Sequence, residues 1–133
     1  MKTHIGHSEN LIAEIMTFVE QSAVTAGLSA MATHKLMLVI EELVTNSANH
    51  GDLTDEDYVE LELDFRDDDI VVHYADTGVA FDPVKNAPPD DRHLEAEDRR
   101  VGGLGWPLIR DLSHNLSYER RDDMNNLHFV LSR

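Results

Sequence analysis

The strictest pattern in the chain is the alternation of apolar and polar residues between positions 59 and 66. In YVELELDF (58–65), every second residue from Val59 is apolar, which predicts a strand with one buried and one wet face. Three aspartates form a turn, and DIVVHYAD (69–76) continues as the partner strand of an antiparallel hairpin. NLSYERR (115–121) and NLHFVLS (126–132) predict a second hairpin near the end of the chain.

Two helices are predicted before the first hairpin. Ser8 is expected to cap the first helix, whose apolar residues recur at three- and four-residue intervals until Gly27. Ser29 begins the second helix, and Gly51 stops it. A short third helix is expected in LGWPLIRDL (104–112). This order predicts an α+β fold, a two-layer sandwich in which helices cover one face of a mostly antiparallel sheet.

Length and composition limit the partners. The 133 residues fit a single domain, 1–133, with a long loop before the third helix. The net charge of -15 repels phosphate backbones and anionic lipids, so neither nucleic acid nor a membrane is an expected partner. The lack of cysteine and of long apolar runs predicts a cytoplasmic location. The eight histidines lack metal-ligand spacing, so no transition-metal centre is expected.

The stretch EELVTNSANHG (41–51) places polar residues on the second helix, directly after LMLVI (36–40), a turn that is apolar on every side and reads as buried. Glu42 and Asn46 are four residues apart, and Asn49 lies on the same side of the helix. The carboxylate could take a proton from an attacking hydroxyl, while the amide oxygen ligates a hard cation. A solvated helix face would have the same spacing, so both interpretations stay open.

A second motif, DTGVAFDP (76–83), follows the strand of the first hairpin. Asp76 could accept a hydrogen bond from an amino group, and Gly78 would let the backbone approach closely because it has no Cβ. Phe81 fits the edge of an adenine-sized pocket. An ordinary turn is the alternative.

The third motif is GGLGWPL (102–108), at the start of the third helix. Glycines before a helix N-terminus let successive amides point at an anion. The motif matches neither a Walker A loop nor a dinucleotide-binding fingerprint. A flexible hinge is the alternative to a phosphate cradle.

Together and in this order, the three motifs resemble the GHKL ATPase superfamily of histidine kinases, type II topoisomerases and heat-shock chaperones. More narrowly, EELVTN, ADTGVAFDP, VGGLGWPLIRDL and the closing DDMNNLHF are similar to the boxes of RsbW-type anti-sigma factor serine/threonine kinases. The resemblance covers nearly the whole chain from about Leu11 and implies the Bergerat ATP-binding fold.

The resemblance also implies roles for individual residues. Glu42 would be the general base, Asn46 the Mg²⁺ ligand, and Asp76 the acceptor of the adenine amino group. Residues 84–101 would form the ATP lid. ATP would be bound further by Asn49, Gly78, Phe81, Arg100, Gly102, Gly103, Leu104 and Gly105. Arg100 could instead belong to a solvated charge run.

Two features depart from the family pattern. Pro107 follows Trp106 where related chains usually have two non-proline residues, which removes an amide near the expected phosphate site. The strand that often precedes the first helix is reduced to THI (3–5), which puts the usual sheet edge and a homodimer contact through it in question.

By resemblance, the chain would be an Mg-ATP-dependent kinase that phosphorylates Ser or Thr of a STAS-type anti-anti-sigma protein, with a sigma factor as a further partner. One alternative is a non-catalytic ATP-binding module that captures a sigma factor or another regulator. Another is a detached ATPase domain that works beside a separate protein. The acidic charge suits a basic partner in each case.

Overall fold

The computed structural model describes residues 1–85 and 105–133. Within these ranges the chain forms three helices and five strands. The helices are α1 (Leu11–Thr25), α2 (Ala30–His50) and α3 (Gly105–Leu112). The strands are β1 (Lys2–Gly6), β2 (Tyr58–Phe65), β3 (Asp69–Asp76), β4 (Ser113–Arg121) and β5 (Met124–Ser132).

The five strands form one sheet in the order β1-β2-β3-β5-β4, and all neighbouring strands are antiparallel. Both predicted hairpins, β2–β3 and β4–β5, are confirmed, and so is the α+β fold class. Asp122 and Asp123 form the two-residue turn between β4 and β5 with φ of 54° and 59°, as the right-handed twist of the flanking strands favours.

The core lies between the helices and one face of the sheet. Alternate residues of β2, β3 and β5 point toward the helices, which bury an apolar stripe against them. The fully buried side chains with the largest volumes are Phe129, Leu11, Ile15, Leu36, Ile40, Leu61, Leu63, Ile70, Ile109, Leu131 and Val19. The alternation in the sequence therefore predicted the buried face of the sheet correctly.

Strand β1 corrects the expectation about the start of the chain. Lys2–Gly6 is a complete edge strand that pairs with β2 from Lys2↔Glu62 to Gly6↔Tyr58. Thr3 and Ile5 are its inward residues, and Ile5 packs against the core. Two inward positions are too few to give a periodic signal, which is why only THI was recognised.

The helix ends agree with the sequence at three of four positions. Ser29 caps α2 by accepting a hydrogen bond of 3.1 Å from the Ala32 amide. Gly27 ends α1 with a φ of +67°, and Gly51 follows α2. The assignment of Ser8 was wrong, because α1 is preceded by Asn10 and the Ser8 hydroxyl accepts from the Asn10 amide in the turn before the helix.

The turn LMLVI of α2 is not buried on every side. Leu36, Val39 and Ile40 are buried, whereas the Leu38 side chain is 41% exposed. In a two-layer fold the outer side of a covering helix faces solvent, whatever residues it carries. The polar residues of the following turn therefore continue a helix that already has one exposed side.

Helix α3 confirms the third predicted helix, and Pro107 is the third residue of its first turn. Most of the long loop, including most of the predicted lid at 84–101, lies outside the described residues. Among the helices at 1–85 and 105–133, none is long and apolar enough to cross a membrane.

Candidate functional site

A cavity opens between the C-terminal half of α2, the end of β3 and the first residues of β5. It has about 480 Å³ of empty space, part of which is open solvent. Its apolar and aromatic walls come from Leu43, Tyr74, Val79, Phe81, Tyr118 and Leu127, and its polar groups include Asn46, Ser47, Asp76 and Asn125. Mostly apolar walls with a few converging polar groups are typical of a small-molecule site.

Asp76, the last residue of β3, has a buried carboxylate in this cavity, with 7% of its surface exposed. Its Oδ2 accepts a hydrogen bond of 2.6 Å from the Ser47 hydroxyl. Its Oδ1 accepts from the Gly78 amide at 3.0 Å and from the Asn125 side-chain amide at 2.8 Å. All three groups donate, so they satisfy a buried negative charge that would otherwise be costly.

Gly78 is required by the packing of the turn after β3. A Cβ on Gly78 would lie 2.8 Å from the carbonyl oxygen of Gly51 and 3.0 Å from its Cα. The Val79 amide donates to the same Gly51 oxygen at 3.0 Å. The close approach predicted for Gly78 is therefore to the C-terminal end of α2, and it joins the two sides of the cavity.

The rim of the cavity is formed by the segment that follows Gly78. Phe81, predicted at the edge of a pocket, lines the cavity and stacks on His50, with ring centroids 6.0 Å apart. Arg120 on β4 donates to the Gly78 carbonyl oxygen at 2.8 Å. The turn is thus held from α2 on one side and from β4 on the other.

Of the three polar residues predicted on α2, one lines the cavity and two do not. Asn46 lines it, whereas the partly buried Glu42 and the exposed Asn49 are not among its lining residues. Glu42 is one helical turn before Asn46 on a neighbouring side of α2. Partial burial, and then the charge of Glu41, raise the pKa of the Glu42 carboxyl.

Four residues of the predicted phosphate site, Arg100, Gly102, Gly103 and Leu104, lie outside the described residues. Gly105 is the first residue of α3. Among the described residues, no group of three or more His, Cys, Asp or Glu side chains could hold a metal ion.

Sequence reasoning missed Asn125, Ser47 and Tyr74, which surround Asp76. Asn125 pairs with Asp76 in the β3–β5 ladder, and finding it requires the strand order, which no local sequence signal gives. Ser47 continues the buried side of α2 four residues after Leu43. A single serine on an apolar stripe gives little indication of a role on its own.

Comparison with known proteins gives a family. The model of the histidine kinase-like ATPase domain matches residues 7–131. The serine/threonine-protein kinase BtrW of Bordetella bronchiseptica is 32% identical over 117 residues, which cover 86% of this chain and 80% of that kinase. The serine-protein kinase RsbW of Listeria monocytogenes is 34% identical over 91 residues, which cover 65% of this chain and 58% of that kinase.

Among solved structures, the nucleotide-free catalytic domain of the histidine kinase ThkA aligns with 99% of this chain. Its sequence identity is 13% and the TM-score is 0.48, values too low to support an inference about function. The family model and the BtrW match each cover most of the chain. The chain therefore belongs to the histidine kinase-like ATPase family, in the group of RsbW-type kinases.

Proposed function

We propose that the chain is a kinase that binds Mg-ATP and transfers the γ-phosphate to Ser or Thr of a STAS-type anti-anti-sigma protein, and that it also binds a sigma factor. The observation that carries this proposal is the buried Asp76 carboxylate, in a cavity beside the helix that bears Glu42 and Asn46. The names of the relatives, serine/threonine-protein kinase and serine-protein kinase, support the reaction class.

The cavity fits the adenine of ATP. Apolar and aromatic walls suit the faces of a purine ring. A carboxylate has about four lone-pair sites, and three are used by Ser47, Gly78 and Asn125. About one site is left for the 6-amino group of the base, which is a donor.

Asn46 suits the Mg²⁺ of Mg-ATP. Mg²⁺ in such sites usually keeps several waters and is bound by few protein groups together with the substrate phosphates, so no preformed cluster of carboxylates is needed. When bound, Mg²⁺ would neutralise charge on the phosphates. The amide oxygen of Asn46, on the cavity wall, would be the ligand from α2.

Glu42 would act as the general base. Its carboxylate would take the proton of the substrate hydroxyl while the hydroxyl oxygen attacks the γ-phosphorus. The bond from that phosphorus to the β–γ bridging oxygen breaks, and ADP leaves. The raised pKa of Glu42 brings the base closer to the operating pH, where proton transfer is more effective.

A second candidate is a non-catalytic module in which ATP sets the conformation of a surface that captures a regulator. The specific observation in its favour is that Glu42 does not line the cavity, so nucleotide could bind without a base beside it. The net charge of -15 suits a basic partner in both cases.

Phosphate transfer separates the two candidates. The chain is incubated with γ-labelled ATP, Mg²⁺ and a purified STAS-domain protein, and the label is mapped by mass spectrometry. A kinase places the label on a serine or threonine of the STAS protein, and Glu42→Gln serves as the matched negative control. ATP binding without any labelled partner would favour the non-catalytic module.

A further inference from the structure

A continuous chain of hydrogen bonds runs from Tyr74 through Ser47 to Asp76. The Ser47 Oγ lies 2.7 Å from the Tyr74 hydroxyl and 2.6 Å from Asp76 Oδ2. All three side chains are buried, with exposed fractions of 4%, 6% and 7% for Tyr74, Ser47 and Asp76. Tyr74 and Ser47 come from different elements, β3 and α2, so the relay crosses from the sheet to the helix.

The direction of the protons in this chain is fixed. A serine hydroxyl has one proton, and Ser47 gives it to the Asp76 carboxylate. Ser47 can then only accept from Tyr74, so the Tyr74 hydroxyl is the donor. Burial raises the pKa of Tyr74, so the phenol keeps its proton and remains a donor.

Among the described residues, every hydrogen-bond partner of the Asp76 carboxylate is therefore a donor. Ser47 occupies Oδ2, while Gly78 and Asn125 occupy Oδ1. A carboxylate held in this way cannot rotate to present a different lone pair without breaking a buried hydrogen bond. Its remaining capacity in the cavity is that of an acceptor in one orientation.

We propose that Ser47 and Tyr74 are positioning residues that hold Asp76 as a fixed acceptor, and that they thereby make the cavity select 6-amino over 6-oxo purine nucleotides. This inference rests on the proposed function, because it concerns the base that the ATP site accepts. Neither residue needs to touch the nucleotide for this role. Their effect passes through the Asp76 carboxylate.

The two residues should contribute unequally. Among the described residues, Ser47 is the only hydrogen-bond donor to Asp76 Oδ2, so Ser47→Ala removes that bond and also leaves the Tyr74 hydroxyl without its acceptor. Tyr74→Phe leaves Ser47 able to donate to Asp76 but free to rotate. Because both act through one relay, the effects of the two substitutions should not add in the double variant.

The test measures dissociation constants of the full chain for Mg-ATP, for Mg-ITP, which carries a 6-oxo group, and for inorganic triphosphate. Ser47→Ala should lower the preference for ATP over ITP by roughly tenfold or more, as expected for loss of a hydrogen bond to a charged group. Tyr74→Phe should lower it by a smaller factor. Affinity for inorganic triphosphate should stay unchanged in both variants, because the phosphate contacts are not altered.

Matched controls exist for both substitutions. Ser22→Ala removes a buried serine hydroxyl of α1 that does not line the cavity. Tyr58→Phe removes the hydroxyl of a tyrosine on the opposite face of the sheet, where the Tyr58 ring stacks on His4. Both should keep the wild-type preference. Ser47→Thr keeps the hydroxyl and should restore most of the preference lost in Ser47→Ala, which distinguishes the relay from packing at this position.

Melting of the nucleotide-free proteins verifies that each variant is folded. An unchanged ATP-to-ITP preference in folded Ser47→Ala would overturn the inference. So would an equal weakening of ATP and ITP, because that result indicates a general structural role. If the wild-type chain binds neither nucleotide, the proposed function itself fails, and this outcome is separate from the other two.

Discussion

The side-chain amide of Asn125 donates a hydrogen bond of 2.8 Å to Asp76 Oδ1, directly across the β3–β5 ladder. The same amide donates to the Val79 carbonyl oxygen at 2.8 Å. Its own oxygen accepts from the Phe81 amide at 3.1 Å and from the Tyr118 hydroxyl at 2.6 Å. One side chain therefore ties the buried carboxylate to the rim of the cavity and to β4.

Replacing Asn125 tests this connection. Asn125→Ala removes one of the two donors that the described residues give Asp76 Oδ1 and leaves the half-buried Tyr118 hydroxyl without its acceptor. A buried polar group left unsatisfied costs roughly 1–3 kcal/mol. We expect the affinity for Mg-ATP, measured by calorimetry, to fall roughly tenfold or more. Asn126→Ala is the matched control, because Asn126 is buried and bonds His73 on the other face of the sheet. Equal affinities in the two variants would contradict the role of Asn125.

Gly78 offers a test of the turn that forms the rim. Gly78→Ala forces a methyl group against the Gly51 backbone, and overpacking of this kind costs roughly 1–3 kcal/mol of unfolding free energy. Urea denaturation measures that loss. In the control variant Gly6→Ala, the added Cβ meets nothing within 4 Å, so its stability should change by about 0.5 kcal/mol or less. Equal stability of both variants would show that the turn can relax.

Glu42→Gln separates catalysis from binding. Loss of the general base should reduce the rate of phosphate transfer by roughly 10²–10⁴, while Mg-ATP affinity is retained. Because the Glu42 pKa is raised in the folded chain, the ionised carboxylate disfavours folding above that pKa. The melting temperature of Glu42→Gln at pH 7 should therefore equal or exceed that of the wild type. Full transfer activity in this variant would exclude Glu42 as the base.

The pH dependence of phosphate transfer tests the cause of the Glu42 shift. Glu42 must be ionised to accept a proton, so kcat/KM should fall as the pH decreases through its raised pKa. Glu41→Gln removes the like charge that helps to raise this pKa, so the acidic limb of the profile should move to lower pH. Glu20→Gln, on the exposed side of α1, should leave the limb in place. An unmoved limb in Glu41→Gln would rule out this coupling.

The sequence predicted those parts of the fold that repeat a pattern. Strand β2 alternates over eight residues, β3 follows it after a turn of aspartates, and α1 and α2 have long apolar stripes, so the existence and type of these elements were clear. The full extent of strand β1 was not predicted, because an edge strand of five residues has only two inward positions. The exposure of Leu38 was also missed, since the sequence alone does not tell which side of an apolar helical turn faces solvent.

The site was predictable where a motif lies within one segment. Asp76, Gly78 and Phe81 are close in sequence, and all three belong to the cavity or its rim. Asn125 contacts Asp76 only because β5 lies between β3 and β4 in the sheet and pairs with β3. That placement depends on strand order, which no local pattern in the sequence encodes.

The most direct test of the nucleotide site is calorimetric titration of the wild-type chain and of Asp76→Asn with Mg²⁺ and a non-hydrolysable ATP analogue. Asp76→Asn keeps the shape of the side chain but replaces one of its acceptor oxygens with a donor group. The wild type should bind the analogue, and at about 100 times Kd the analogue should stabilise it by about 2.7 kcal/mol in a parallel melting experiment. The variant should show neither effect. No heat of binding in the wild type at millimolar analogue, or equal affinity in Asp76→Asn, would contradict the assignment of this cavity to ATP.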